Sequence, residues 1–191
     1  MSENLSPGFI DPVAGAQICF RAVLDAMARP GCVREVGGVV APAPLCNAAG
    51  AVLLTLVDHE TRLWLDPLAH AVRGWLVFHT GAPIEQAMDQ ATFAVALSLP
   101  DLAAMATGRD EMPESSATVI LQVGSLSSGA CFQLSGPGLR APAMLAVDGL
   151  PAEFAAIWAR NHALFPRGID LILCAGSHLA ALPRSVTVRE A

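Results

Sequence analysis

Two short segments of the chain are apolar almost throughout, and they constrain the fold most strongly. Ala117–Val123 is rich in β-branched residues, and Ile169–Cys174 is apolar apart from Asp170. Strands without a polar face are typical of sheets that are covered on both sides. Helical patterns alternate with these and with shorter strands along the chain. The sequence therefore predicts an α/β domain with a mixed sheet flanked by helices.

The helical patterns have clear starts and stops. Apolar residues at three- and four-residue spacing predict a helix from Asp11 or Pro12 to Pro30-Gly31, which ends it. We expect its core-facing side to consist of Val13, Ala16, Phe20, Leu24 and Met27. A second helix is predicted to begin at Pro44 and another near Pro151, since proline is common in the first turn.

Strand patterns complete the predicted sheet. Trp75–His79 is predicted to be a strand that ends at His79. Ala130–Leu134 is expected to form a hairpin with Ala117–Val123 across a serine- and glycine-rich turn. Short strands are also predicted at Val33–Val36 and Leu179–Leu182.

Length and composition indicate one domain that hides surface against a partner. The 191 residues fit one domain, residues 1–191, whose first eight residues we expect to be disordered. Hydrophobic residues make up 53% of the chain and charged residues only 15%. A chain with so few charges is expected to be part of an oligomer or a complex. The five cysteines are scattered without metal-ligand spacing, and we expect buried, reduced thiols and no metal site.

Net charge and segment lengths exclude several classes of partner. A formal charge of −6 argues against nonspecific nucleic-acid binding, which needs a basic face. The longest apolar stretches are far shorter than the roughly 20 residues of a membrane span. The first residues lack the basic and apolar regions of a signal peptide. We therefore expect a cytoplasmic protein that binds neither nucleic acid nor membrane.

The chain contains no lysine and no tyrosine. Without lysine it has no Walker-type phosphate lysine, no Schiff-base lysine for pyridoxal phosphate and no lysine general base. The common sequence motifs of dinucleotide-binding proteins, hydrolases and zinc proteases are also missing. A stand-alone enzyme of a common class is therefore not expected, and no catalytic residue can be assigned.

Six residues are candidates for contact with an anion or a partner. Arginine stands in three proline- or glycine-containing turns, and its planar fork of donors fits phosphate or carboxylate. An acid at the start of an apolar strand needs hydrogen-bond donors, so Asp170 is expected to accept hydrogen bonds from an arginine, with Arg167 nearby, or from loop N–H groups. That pair is either a structural clamp or part of a recognition site. The candidates are Arg29, His79, Glu114, Arg167, Asp170 and Arg184.

A series of short strings stands in a characteristic order and spacing: Phe20-Arg21, Met27 to Gly31, Leu53 to Thr61, Phe78 to Thr80, Ala91 to Phe93, Gly108, Pro113 to Thr118, Gly136 to Gly138, Phe165 to Asp170 and Leu182 to Arg184. Together they resemble the PhnH family of the bacterial carbon–phosphorus lyase system, and the resemblance runs from about Phe9 to about Val188.

The resemblance implies a role in phosphonate breakdown. Such a subunit supports the formation of ribose 1-methylphosphonate 5-triphosphate from MgATP and methylphosphonate, with displacement of adenine. Catalysis of that transfer is attributed chiefly to PhnI and the radical cleavage to PhnJ, so this chain would be a non-catalytic or co-catalytic subunit of a transferase and lyase system. The resemblance also implies a homodimer in isolation and a core complex with PhnG, PhnI and PhnJ.

The family resemblance implies a fold like that of pyridoxal-phosphate-dependent transferases, but without the cofactor. The absence of lysine agrees with this, since no residue could hold pyridoxal phosphate. Two alternatives remain open from the residues alone. One is an independent small-molecule enzyme that uses His79, Glu114 and Arg167. The other is a stand-alone phosphonate- or nucleotide-binding module, for which a charge of −6 predicts weak binding in isolation.

Overall fold

The computed structural model describes residues 6–191 and places most of them in two sheets and the helices around them. The larger sheet has seven strands: β1 (Arg34–Glu35), β2 (Leu63–Leu65), β3 (Ile84–Glu85), β4 (Phe93–Ala96), β5 (Thr118–Gln122), β8 (Asp170–Ala175) and β9 (His178–Leu182). The smaller sheet has three: β6 (Ser125–Ser135), β7 (Ala143–Asp148) and β10 (Thr187–Glu190). The α-helices are α1 (Pro12–Ala28), α2 (Asn47–Leu56), α3 (Arg73–Thr80) and α4 (Phe154–His162).

The larger sheet is mixed, as the sequence predicts. Its strand order is β1-β9-β8-β5-β4-β2-β3. The strands β3, β2, β4, β5 and β8 run parallel to one another. Strand β9 is antiparallel to β8 on one side and to β1 on the other. The two apolar segments become the adjacent strands β5 and β8, and all of β8 is buried.

Helices and the smaller sheet cover the two faces of the large sheet. On one face α1, α2 and α3 pack against Val95, Ile120 and Ile172. On the other face α4 and the smaller sheet pack against Val119, Leu121 and Leu171. This two-sided cover explains why β5 and β8 have no polar face.

The boundaries of α1 follow from its flanking residues. The Asp11 carboxylate accepts hydrogen bonds from the N–H groups of Val13 and Ala14, at 3.1 and 3.0 Å, and so caps the helix. Pro12 occupies the first turn and Pro30 follows the end of the helix, close to the predicted limits. Helix α2 begins three residues after Pro44, at Asn47.

The predicted inner face of α1 is wrong for its three largest exposed members, whereas Met27 packs partly buried against the core. Val13, Phe20 and Leu24 are 68%, 46% and 52% exposed. The buried residues of α1 are instead Cys19, Val23 and Ala26, which are smaller. Small residues allow the helix to approach α2 closely, and the large apolar residues are left outside.

Two strand predictions are also wrong. Trp75–His79 lies in α3, where Trp75 and Leu76 are buried while Val77 and Phe78 are exposed. Ala130–Leu134 lies in β6, which pairs with β7 and β10 and not with β5. Both neighbours of β5 are parallel strands, β4 and β8, so β5 has no free edge for a hairpin.

The described start of the chain packs against α3. The Ser6 carbonyl accepts a hydrogen bond from the Trp75 indole at 2.8 Å, and Gly8 lies near His79. The prediction of disorder for residues 1–8 therefore does not fit residues 6–8, while residues 1–5 lie outside the described part.

All five cysteines are free thiols, as expected, but not all are buried. Cys19 and Cys174 are buried, whereas Cys131 is exposed on the outer face of β6, where it alternates with the buried Phe132. Among residues 6–191, no group of His, Cys, Asp or Glu has the geometry to hold a metal ion. No helix within the same range has the length and apolar character needed to cross a membrane.

Candidate functional site

Several of the strings that define the family resemblance meet at the amino ends of the parallel strands. The Arg62 carbonyl accepts a hydrogen bond from the Thr92 N–H at 2.9 Å, and the Thr92 carbonyl accepts one from Thr118 at 3.0 Å. Thr118 lies opposite Asp170 in the register of β5 and β8. Backbone hydrogen bonds thus connect the amino-terminal ends of β2, β4 and β5, and the amino-terminal end of β8 lies beside that of β5. We call these four ends the strand entrances.

The centre of this region is an ion pair between Asp170 and Arg184. The guanidinium of Arg184 donates to both carboxylate oxygens of Asp170, and the Arg184 backbone N–H also donates to Asp170 Oδ1, at 2.7 Å. Both side chains are largely shielded from solvent, with exposed fractions of 14% and 12%. Asp170 therefore has the donors that its burial requires, but they come from Arg184 and not from Arg167.

The same guanidinium reaches a third segment. Arg184 Nη1 donates to the Pro113 carbonyl at 2.7 Å. The nitrogens Nε, Nη1 and Nη2 of Arg184 are all engaged within the protein. This geometry is that of a structural clamp that ties together the segments around residues 113, 170 and 184.

Neighbouring contacts extend the clamp. The Arg184 carbonyl lies 2.8 Å from His162 Nδ1, at the end of α4. The Gly168 N–H donates to the Thr107 carbonyl at 2.9 Å. The buried Asn161 side chain donates to the Ile169 carbonyl and accepts from the Ile169 N–H, at 2.8 and 2.7 Å, so α4 fixes the start of β8.

Arg167 lies outside the clamp. Its Nε is 3.1 Å from Asp110 Oδ1, and the two side chains are 39% and 75% exposed. Solvent-exposed pairs of this kind contribute little stability.

Arg29 belongs to another part of the molecule. Together with Arg34 it forms an ion pair with Asp25, at the end of α1. The nearby glycine turn packs tightly here, because a Cβ on Gly138 would clash with the Ala28 carbonyl oxygen. The turn at Gly136–Gly138 therefore packs closely against the end of α1.

His79 and Arg167 belong to segments on different faces of the large sheet. His79 lies in α3, with Nε2 3.0 Å from the Ser6 carbonyl oxygen, on the face of the sheet covered by α1–α3. Glu114 is exposed in the short 3-10 helix Pro113–Ser115, and Arg167 follows α4, which covers the opposite face. Among residues 6–191, His79 bonds to Ser6 and Arg167 pairs with Asp110, and neither forms a hydrogen bond or an ion pair with Glu114.

A cavity beside the clamp includes residues that the sequence analysis did not select. It has a volume of about 380 Å³, and its lining includes Arg62, Thr107, Arg109 and Ser115. Arg62 and Arg109 stand in polar stretches without a proline turn, so no sequence signal brings them together. Only the hydrogen bonds between the strand entrances place them around one opening.

At the opposite edge of the sheet, formed by the carboxyl ends of the parallel strands, both oxygens of the buried Asp66 carboxylate accept backbone hydrogen bonds. The Asp66 carboxylate accepts hydrogen bonds from Leu68 and Leu97, at 2.9 and 3.0 Å. It thereby joins the ends of β2 and β4. Ligands of open α/β sheets commonly bind at the carboxyl ends of strands, but Asp66 closes this part of that edge.

Comparison with known proteins identifies relatives over almost the full length. A family model described as bacterial phosphonate metabolism protein (PhnH) matches residues 7–189. The chain is 40% identical over 195 residues to the α-D-ribose 1-methylphosphonate 5-triphosphate synthase subunit PhnH of Rhizobium meliloti (strain 1021), covering 99% of this chain and 98% of that protein. It is 32% identical over 177 residues to a putative C-P lyase subunit protein, HtxG, of Stutzerimonas stutzeri, covering 90% and 85% of the two chains.

The fold and the site define an α/β protein in which the most distinctive sequence strings hold the strand entrances together. Within this class the chain belongs to the PhnH family of bacterial phosphonate metabolism proteins. The resemblance deduced from the ordered strings is therefore confirmed.

Proposed function

We propose that this chain is a subunit of the carbon–phosphorus lyase system that supports formation of ribose 1-methylphosphonate 5-triphosphate from MgATP and methylphosphonate. The observation that carries the proposal is the 40% identity, over 99% of the chain, to a protein named as a subunit of that synthase. A second relative carries the name of a putative C-P lyase subunit, which is consistent with the same system.

The site supports a non-catalytic or co-catalytic role. The Arg184 guanidinium is engaged by Asp170 and the Pro113 carbonyl, so it has little freedom to serve a reacting group. His79 and Arg167, which an independent enzyme would need together, lie in segments that cover opposite faces of the sheet. Acid–base catalysis requires hydrogen-bond reach between the groups involved. The alternative of a stand-alone enzyme that uses His79, Glu114 and Arg167 is therefore disfavoured.

The surface of α1 supports a role as a subunit. Three large apolar side chains, Val13, Phe20 and Leu24, are exposed along one side of the helix, and Ile10 just before it is 96% exposed. Spacings of seven and four residues place Val13, Phe20 and Leu24 on the same face. Several large apolar side chains exposed on one side of a helix are typical of a protein that buries surface against a partner. We name these four residues the α1 apolar face.

The partners we propose are a second copy of the chain when it is isolated, and PhnG, PhnI and PhnJ in a core complex in the cytoplasm. We further propose that the fold is related to that of pyridoxal-phosphate-dependent transferases and that the chain uses no such cofactor. The absence of lysine supports the proposal that the chain uses no pyridoxal phosphate, because a Schiff base with that cofactor requires a lysine amine.

Reconstitution of the synthase tests the functional proposal. PhnG, PhnI and PhnJ from the source organism of this chain would be purified, and methylphosphonate-dependent release of adenine from MgATP would be measured with and without the chain. We expect the rate to fall at least about tenfold when the chain is omitted, equivalent to roughly 1.4 kcal/mol in the activation free energy. Equal rates with the folded chain, without it, and with an unfolded sample would contradict the proposal.

A further inference from the structure

The cavity beside the clamp carries two arginines whose charges are not neutralised by the protein. Arg62 and Arg109 both line it, and both side chains are exposed. Within residues 6–191 neither forms an ion pair, unlike Arg29, Arg167 and Arg184. Two unpaired guanidinium groups at one opening create a local positive field.

The backbones that carry these arginines are fixed. The Arg62 carbonyl accepts hydrogen bonds from Thr92 and Phe93, at 2.9 and 3.1 Å. Arg109 and Met112 form reciprocal backbone hydrogen bonds of 3.3 and 3.1 Å, which close a tight turn. The cavity is therefore held on both sides by hydrogen-bonded backbone, and only the arginine side chains need to adjust to a ligand.

The nearby carboxylates in the described part of the chain form no ion pair with Arg62 or Arg109. Asp110 is paired with Arg167. Glu111 and Glu114 follow along the chain and are exposed, but neither lines the cavity. Of the lining hydroxyls, Ser115 Oγ donates to the Met112 carbonyl at 2.7 Å and keeps its lone pairs, and Thr107 lines the same cavity.

We propose that this cavity binds a small molecule with a phosphate or phosphonate group, which Arg62 and Arg109 contact through their guanidinium forks and Thr107 through its hydroxyl. Planar guanidinium groups match the tetrahedral oxyanion of such ligands bidentately. The volume of about 380 Å³ lies at the lower end of typical small-molecule sites and exceeds what a free phosphate ion needs. The anionic group would then occupy the arginine side, and the rest of the ligand the remaining space.

The choice of ligand class rests on the proposed function, since phosphonates and a triphosphate are the compounds of that pathway. Binding to the isolated chain is expected to be weak, with a Kd on the order of 1 mM, because the net charge of −6 repels anions at long range. Partners that cover the cavity would remove solvent and strengthen the contact with the arginines.

A nuclear magnetic resonance titration of the isolated full chain tests this inference. Methylphosphonate, inorganic phosphate and inorganic triphosphate would each be added at constant ionic strength, with chloride as the reference anion. We expect amide shifts confined to residues 62–63 and 106–115. The double variant Arg62→Gln, Arg109→Gln should weaken binding at least about tenfold, because both charge-assisted contacts are lost. The matched variant Arg21→Gln, which removes an exposed arginine from α1, should leave binding unchanged.

The three anions distinguish the possible sources of the binding chemistry. A response to triphosphate alone supports a polyphosphate ligand, whereas equal responses to methylphosphonate and phosphate support a site for a single tetrahedral anion. The inference is overturned if shifts equal those with chloride, or if the double variant binds as tightly as the unmodified chain. Because the titration needs no partner, this failure is distinguishable from failure of the synthase reconstitution.

Discussion

At the scale of single residues, Asp170 shows what the sequence can and cannot specify. An acid at the start of an apolar strand must be paired, and that prediction is confirmed. The donors are the guanidinium and the backbone N–H of Arg184, and not Arg167, which is nearer in sequence. In the folded chain β9 runs antiparallel to β8 and pairs Leu182 with Leu171, so the residues after Leu182 come beside Asp170. Sheet register therefore decides the partner, and register is not visible in a local string.

The two arginine pairs should differ sharply in their contribution to stability. Arg184→Gln would leave the shielded Asp170 carboxylate without its cation, and we expect a loss of about 3 kcal/mol in the free energy of unfolding. Arg167→Gln removes an exposed pair and should cost less than about 1 kcal/mol. Urea unfolding of both variants checks the difference. Equal losses would contradict the structural role assigned to Arg184.

Thiol chemistry provides an independent test at the residue scale. Burial raises the pKa of Cys174 well above its usual value, with the neighbouring Cys46 and Cys19 adding to the effect. Burial also raises the pKa of Cys19 and of Cys46. Since the thiolate is the reactive form, these three thiols carry less of it at pH 8 than an unburied cysteine does.

We therefore expect iodoacetamide at pH 8 to alkylate the exposed Cys131 first in the folded protein. Cys174 should react only after unfolding, and peptide mass spectrometry would identify the modified positions. All five cysteines should react in denaturant, which provides the control. Modification of Cys174 at the rate of Cys131 in the folded chain would show that the core around β8 opens readily.

At the scale of elements, the sequence specifies the existence of helices better than their orientation. The limits of α1 were predicted from Asp11, Pro12 and Pro30, whose conformational preferences are local. Its buried face was not, because Val13, Phe20 and Leu24 form as regular an apolar pattern as the side that faces the core. Pattern alone cannot say whether an apolar face is covered by the same chain or by another molecule.

Helix α3 shows a second limit of pattern. Its apolar run from Trp75 to Phe78 is too short to show a period of either two or 3.6 residues. The sequence of this run is therefore compatible with both a strand and a helix. Gly81, with φ of 70°, ends the helix in the left-handed region. The same glycine is equally compatible with the end of the strand that the sequence predicts at Trp75–His79.

The turn that follows Thr107 depends on a residue without a side chain. Gly108 has φ of 80°, and a Cβ there would lie 2.8 Å from the Pro113 carbonyl oxygen. We expect Gly108→Ala to lower the free energy of unfolding by about 1–3 kcal/mol, because the strained backbone and the close contact both oppose the added methyl group.

Gly37→Ala is the matched control for this substitution. A Cβ at Gly37 meets no atom within 4 Å, so its effect should be small. Thermal or urea unfolding would measure both variants. Similar stability of the two would mean that the turn does not constrain the strand entrances as described.

At the scale of the whole molecule, the α/β class and the mixed sheet could be predicted because β5 and β8 are apolar on both faces. The smaller sheet could not, since β7 and β10 alternate and resemble ordinary surface strands. Only part of the candidate site could be predicted from the sequence. Asp170 and Arg184 were selected, but the cavity arginines Arg62 and Arg109 come together only through long-range pairing of the strands.

The α1 apolar face should affect assembly without affecting the fold. Phe20→Ser combined with Leu24→Ser changes two exposed side chains, so each change should alter stability by less than about 0.5 kcal/mol. We expect the double variant to co-purify with its partner subunits at least about tenfold less efficiently. Leu68→Ser, which changes another exposed leucine, is the matched control and should co-purify normally. Unchanged assembly of the double variant would exclude this face as a contact.

The most direct test of the central claim is co-expression of the chain with PhnG, PhnI and PhnJ of its source organism, with an affinity tag on PhnI. The composition of the purified assembly would be measured by native mass spectrometry. If the chain is a subunit of this system, it should be retained in the assembly at a fixed stoichiometry. The account would be contradicted if the other three subunits assemble while the folded chain is recovered only in the unbound fraction.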